Sequence, residues 1–131
     1  MGMSTALLTD RYELTMLDAA LRDGTADRRC VFELFGRRLP GGRRFGVVAG
    51  TGRLLAELAD FRFEEAELAF LRDHRIVSAE TIRFLEDYRF RGTISGYPEG
   101  ELYFPGSPIL TGRGLVRRGR HPRDPRPQHP Q

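Results

Sequence analysis

No lysine occurs anywhere in this chain; all 21 basic residues are arginine. Asparagine and tryptophan are absent too. Lys and Asn require AA-starting codons, whereas Arg, Gly, Ala and Pro can be written with GC-rich ones, so the pattern points to a bacterial gene of high GC content. Arginine abundance is then weak support for phosphate binding. The single cysteine, Cys30, excludes an internal disulfide and a cysteine-ligated metal cluster. No apolar run is long enough to span a bilayer, and the first residues lack the basic, apolar and small-residue order of a signal peptide. These absences predict a cytoplasmic protein without a membrane partner.

What is present suits one domain, at 131 residues. Charge is unevenly placed. Residues 111–131 hold six Arg and one acid, Asp124, whereas residues 1–110 hold 15 Arg against 17 acids. The net positive charge therefore belongs to the tail, and the body has no nucleic-acid signature of its own.

Hydrophobic spacing predicts an order of elements. Asp10 and Glu13 form a plausible capping pair, after which Leu14, Leu17 and Leu21 mark one helical face and Gly24 ends it. Residues 30–35, CVFELF, read as a strand with Cys30, Phe32 and Leu34 on its core side. Pro40-Gly41-Gly42 reads as a turn. Three helices follow, with Leu54, Leu55 and Leu58 inward in the first, Leu68 and Leu71 in the second, and Ile82 and Leu85 in the third, behind Ser78 as a cap. From Gly92 the period changes to two, giving two strands around Pro98-Glu99-Gly100. Helices and strands do not alternate, so the class is α+β without a doubly wound sheet.

The small motifs are weak. Gly46, Gly50 and Gly52 suggest a phosphate loop, but the spacing is not G-x-G-x-x-G and no G-K-[ST] follows; close packing at a helix entry accounts for them better. Arg37-Arg38 and Arg43-Arg44 flank the turn, where guanidinium groups can grip phosphate oxygens or simply face water. His74 fits a helix end or surface role, since no partner nucleophile is in sight. Glu64 and Glu65 suit a first helical turn. No complete catalytic set and no metal-ligand spacing occur.

Longer strings say more. LLTDRYELTM, then FELFGRRLPGGRRFGVVAG, then ELADFRF, then EGELYFPGSPIL run in order from Leu7 to Leu110. Together they resemble the start of the nicotinate phosphoribosyltransferase family. The resemblance implies the N-terminal α+β domain of a type II phosphoribosyltransferase, helices packed with a small mixed sheet. It implies the conversion of nicotinate and phosphoribosyl pyrophosphate to nicotinate mononucleotide and pyrophosphate, a step of NAD biosynthesis. ATP hydrolysis is coupled and Mg²⁺ sits on the pyrophosphate, with their sites outside this chain. It also implies a homodimer in which Tyr12, the tyrosine of T-D-x-Y, reaches nicotinate in the partner subunit's site. An electron-poor pyridine ring suits an offset-stacked or edge-on aromatic neighbour. Asp10 would fix the presentation of that ring, and Arg37 and Arg38 are further candidates for substrate contact.

Family members are several times longer, and the barrel that should follow is absent from these 131 residues. The expected division is an N-terminal domain at 1–110 and a disordered Arg/Pro-rich tail at 111–131, whose apolar content is only Leu115 and Val116. Back-translating the tail with GC-rich codons and shifting the frame by one base allows a strand followed by a Leu-rich helix, as in the family. A frameshifted gene or sequencing error, and an inactive truncated chain, are the expectation. The alternative is a small non-enzymatic protein with a basic nucleic-acid-binding tail. That tail lacks the base-reading and stacking elements that selective binding needs.

Overall fold

The structure is a computed structural model, and it describes residues 5–115. Among these the chain forms a helical layer and two small sheets. The order is α1 (Arg11–Asp23), a 3₁₀ turn (Thr25–Asp27), β1 (Arg29–Phe35), β2 (Gly46–Val47), α2 (Thr51–Ala59), α3 (Glu65–Asp73), α4 (Ala79–Glu86), β3 (Thr93–Gly96), β4 (Leu102–Tyr103) and β5 (Pro108–Leu115). This is the expected α+β class, and every described strand pairing is antiparallel.

The helix boundaries have local causes. Gly24 ends α1 in the left-handed region at φ 78°, which a residue without Cβ enters freely. Glu64 and Glu67 close a capping box on α3. Ser78 caps α4 by accepting from the Thr81 amide at 3.3 Å. His74 ends α3, its Nδ1 2.9 Å from the Phe70 carbonyl, in the surface role expected of it.

The helices bury one cluster: Leu14, Leu68, Leu71, Ile82 and Leu85. Burying each such side chain is worth about 1.5–3 kcal/mol. Phe61 packs edge-on against Phe63 and Tyr88, at 5.7 and 6.1 Å between ring centres, and extends the cluster towards the end of α4. Burial pushes the Tyr88 phenol pKa up, and the nearby Cys30 adds to it.

Two polar residues sit inside this layer, Asp18 and Thr81. Asp18 is 4 % exposed. It accepts from the Ser78 amide at 2.7 Å and from Thr81 Oγ1 at 2.7 Å, and pairs with Arg22. Burial alone would favour its neutral form, but the Ser78, Thr81 and Arg22 donors outweigh it and hold the carboxyl well below the usual carboxylate range.

The three-stranded sheet has the order β1-β5-β3, and β2 pairs only with β4. The two strands expected around Pro98-Glu99-Gly100 are present but do not pair with each other: β3 joins β5 and β4 joins β2. The loop between them ties the sheets to α2. The Glu99 carboxylate accepts from the Gly50 amide at 2.9 Å and the Gly52 amide at 2.9 Å, where α2 begins. Those amides are the donors a phosphate would need, and an internal carboxylate holds them. At Gly46 any Cβ would overlap the Tyr103 ring. Close packing thus accounts for Gly46, whereas Gly50 stands in open space at φ 96°, in the left-handed region that favours glycine, and Gly52 is only in ordinary contact with Glu99.

Three expectations are corrected. Leu54 and Leu55 are exposed and α2 buries no residue, because no described helix or strand packs closely on it and the Glu99 loop holds its start. Cys30 is half-buried while Phe32 and Leu34 are exposed, because no described element covers that side of β1. The boundary expected at 110/111 falls inside β5, which pairs with β1 as far as Arg29↔Leu115. The rest of the expected tail, 116–131, lies outside the described residues.

Two stability predictions follow from the buried contacts. Asp18→Ala leaves the Ser78 amide without an acceptor and the Thr81 hydroxyl with only Ser78 Oγ at 3.2 Å, and should lower the unfolding free energy by about 1–3 kcal/mol in urea titrations. Because folding depresses the Asp18 pKa, its contribution is complete above the unfolded value of about 3.9 and fades as pH falls below that. The wild-type urea midpoint should therefore drop more between about pH 6 and about pH 3 than that of Asp18→Asn; equal drops would show that Asp18 is not the acid-labile group. Glu99→Ala should cost about 0.5–2 kcal/mol, as loss of a helix cap does, and speed hydrogen exchange at Gly50 and Gly52. Unchanged exchange there would mean that the carboxylate does not hold those amides in solution.

Candidate functional site

α1 has two unlike faces. Leu14, Asp18 and Leu21 point into the helical layer. Tyr12 lies about 200° around the helix from Leu14 and is 59 % exposed. Leu8 and Met16, four residues to either side, are exposed as well. The ring and Met16 therefore share the outer face of the helix, with Leu8 in the segment before it, and the ring is not a first-turn packing residue. Its backbone is held: the Thr15 hydroxyl donates to the Tyr12 carbonyl at 3.1 Å.

Asp10 occupies the N-cap position of α1 with the extended backbone that position requires, φ −77° and ψ 144°. The expected capping pair is not formed, however. The Asp10 side chain makes no cap hydrogen bond; its carbonyl accepts from the Glu13 amide at 3.1 Å instead. The carboxylate faces solvent just behind Tyr12, which leaves it free for a ligand.

Arg37 and Arg38 lie on another part of the molecule, the loop from β1 to β2. Its turn at Pro40-Gly41-Gly42 forms as expected, closed by the Arg43 amide on the Pro40 carbonyl at 3.3 Å, with Gly41 and Gly42 at positive φ. The root of the loop is pinned by the Gly106 amide on the Gly36 carbonyl at 2.8 Å. The Arg37, Arg38, Arg43 and Arg44 side chains are exposed and have no hydrogen bond or ion pair among the described residues. No contact joins them to Asp10 or Tyr12, so the structure presents two separate sets of free groups: a ring with a carboxylate on α1, and guanidinium groups on the β1–β2 loop.

The residues missed in the sequence are Asp18, Glu99 and Met16, which shares the outer face of α1 with Tyr12. Asp18 had a visible signal, an acid on an apolar helical stripe between Leu14 and Leu21. Glu99 had none, since nothing local says which amides its carboxylate will meet. Among the described residues no three His, Cys, Asp or Glu side chains lie together as a metal site would need, and no helix is long and apolar enough to cross a membrane.

Comparison with known proteins agrees with the segment in which Tyr12 lies. Residues 7–119 match the family described as the nicotinate phosphoribosyltransferase (NAPRTase) N-terminal domain. The chain is 61% identical over 108 residues to the nicotinate phosphoribosyltransferase pncB1 of Mycobacterium tuberculosis (strain H37Rv), covering 82% of this chain and 24% of that protein. It is 38% identical over 109 residues to the human nicotinate phosphoribosyltransferase, covering 79% and 20%. The fold is similar to the crystal structure of human nicotinic acid phosphoribosyltransferase, with a TM-score of 0.72 and 33% identity over 82% of this chain and 22% of that one. The chain thus spans about a quarter or less of the length of the curated relatives it matches. With four-fifths of its residues following both the sequence and the fold of these enzymes, the chain belongs to the nicotinate phosphoribosyltransferase family, of which it carries the N-terminal domain.

Proposed function

We propose that this chain is the N-terminal part of an enzyme that joins nicotinate to phosphoribosyl pyrophosphate, forming nicotinate mononucleotide and pyrophosphate in NAD biosynthesis. The observation that carries the reading is the exposed Tyr12 ring on the outer face of α1, within the segment that follows the family. In the reaction the pyridine nitrogen attacks the anomeric carbon of the ribose as the bond to pyrophosphate breaks. Tyr12 stacks on the nicotinate ring and fixes the angle of attack. Asp10 stands behind it and restrains the ring's approach. Arg37 and Arg38 hold phosphate or pyrophosphate oxygens, where charge gathers as the leaving group departs.

In this reading the enzyme is a cytoplasmic homodimer, and Tyr12 enters the partner subunit's site. Mg²⁺ on the pyrophosphate neutralises charge when bound. The described residues form no ligand cluster for it, and Glu99 holds the α2 amides that a nucleotide phosphate would use. No step is therefore assigned to a metal or ATP held by this chain. These residues bind and orient but offer no assembled acid, base or nucleophile. The 131-residue chain, incubated with nicotinate, phosphoribosyl pyrophosphate, Mg²⁺ and ATP, should form no nicotinate mononucleotide; clear product would refute that.

In an enzyme whose N-terminal part is this chain, Tyr12→Ala should raise the KM for nicotinate about tenfold, since an aromatic pair contributes on the order of 1 kcal/mol beyond its area. The KM for phosphoribosyl pyrophosphate should change much less. Arg37→Ala and Arg38→Ala should show the reverse pattern. Mixing Tyr12→Ala subunits with subunits disabled elsewhere in the site should restore activity, because one intact site per heterodimer results. Nicotinate kinetics of Tyr12→Ala equal to wild type would remove the ring from the site.

A further inference from the structure

A buried carboxylate lies six residues beyond Tyr12 on the same helix, about 9 Å along its axis. Asp18 Oδ1 accepts from the Ser78 amide and from Thr81 Oγ1, each at 2.7 Å. Both bonds cross from α1 to the start of α4, whose N-cap is Ser78. Thr81 is fully buried, and its hydroxyl lies 3.2 Å from Ser78 Oγ, so the receiving end of the contact is itself fixed. Arg22 lies on α1 and pairs with Asp18 Oδ2, which balances the charge without tying α1 to another helix. The apolar contacts of α1 are less selective. Leu14 and Leu21 are buried, and Leu17, about 60° around the helix from Leu14 on the side away from Asp18, is half-buried against the same cluster. Apolar burial is non-directional, so a stripe this wide tolerates small rotations of the helix. Hydrogen bonds do not, because they weaken steeply as their angle closes.

We propose that Asp18 is a positioning residue for nicotinate: by gripping the start of α4 it fixes the rotation of α1 about its axis, and so the place and tilt at which Tyr12 meets the pyridine ring. The inference rests on the proposed role of Tyr12. That ring stands on the side of α1 away from the buried residues, and its backbone belongs to the first turn, where Thr15 Oγ1 donates to the Tyr12 carbonyl at 3.1 Å. Any rotation of the helix is therefore carried to the ring. Side chains reach about 5–6 Å from a helix axis, so a rotation of about 20° moves one by roughly 2 Å. A misplacement of about 1 Å is enough to spoil a reacting geometry. The two 2.7 Å bonds to α4 thus act on the substrate through Tyr12, without Asp18 touching it.

The test is steady-state kinetics of the enzyme whose N-terminal part is this chain. Asp18→Ala should raise the KM for nicotinate about fivefold, part of the roughly tenfold effect of removing the ring itself, and leave the KM for phosphoribosyl pyrophosphate within about twofold. Thr81→Val removes one donor and keeps the side-chain shape, so it reports the same contact should Asp18→Ala fail to fold; about a threefold rise is expected, and Thr81→Ser should return the KM to within about twofold of wild type. In a Tyr12→Ala background, Asp18→Ala and Thr81→Val should each add less than about twofold, because the ring they position is gone. Leu71→Ala opens a cavity in the same cluster from α3 and destabilises the layer, yet should leave the nicotinate KM within about twofold. A raised nicotinate KM in Tyr12→Ala with none in Asp18→Ala or Thr81→Val would overturn the proposal and leave the proposed function standing. Effects that multiply with Tyr12→Ala, or an equal rise in Leu71→Ala, would overturn it too, since Asp18 would then act by another route or through stability alone. An unchanged nicotinate KM in Tyr12→Ala would overturn both.

Discussion

A buried carboxylate holds the helical layer in register. Asp18 gathers a backbone amide, a hydroxyl and a guanidinium from two helices. Without it the Ser78 amide would lose its acceptor at the edge of an apolar layer, and the carboxylate would be left uncompensated without its donors. The amide and hydroxyl come from the capped start of α4, so the contact sets where that helix begins against α1. With Leu14 and Leu21 on the same side of α1, it turns the opposite side outward. The exposure of Tyr12 is thus a consequence of what the helix buries.

The sheets are held on different terms. Their backbone ladders are formed, and Glu99 and Tyr103 lock the second sheet to α2 and to the glycines of β2 and the β1–β2 loop. Side-chain burial does not match this order. The helical cluster is closed on itself, whereas Phe32, Leu34, Phe45 and Phe104 stand in solvent. Hydrophobic gain is proportional to area removed from water, so the sheets draw much less from it than the helices do. Hydrogen bonds hold the shape of a surface whose apolar side is bare.

The free polar groups sort by element. The Asp10 carboxylate comes with α1, and the four arginines come with a glycine turn that keeps their loop compact. Several other charges are engaged: Arg22 with Asp18, Arg72 with Glu65 and Glu86, and Glu99 with the α2 amides. The separation of ring and guanidinium groups onto unconnected elements fits a site that this chain only partly lines.

Much of the local structure was legible in the residues. The 3.6-residue stripes at Leu14–Leu21, Leu68–Leu71 and Ile82–Leu85, the stops at Gly24 and Pro40-Gly41-Gly42, the cap at Ser78 and the α+β order are short-range matters of periodicity and turn chemistry. Tyr12 was legible as a site candidate only through family resemblance, because an aromatic at helical spacing is usually core. Partnership was not legible. An apolar stripe shows that a face can be buried without showing what will cover it, so Leu54, Leu55, Phe32 and Leu34 were misplaced. Strand pairing joins residues far apart in sequence, so the partners of β3 and β4, β5 and β2, could not be read from it. The sequence by itself determined which segments are helices and strands, because those preferences act within a few residues. Only the tertiary structure decided that Asp18 is an anchor, that Glu99 occupies the start of α2 and that one face of the sheet is open, because each depends on groups brought together from 47 to 63 positions away or on the lack of any group at that place.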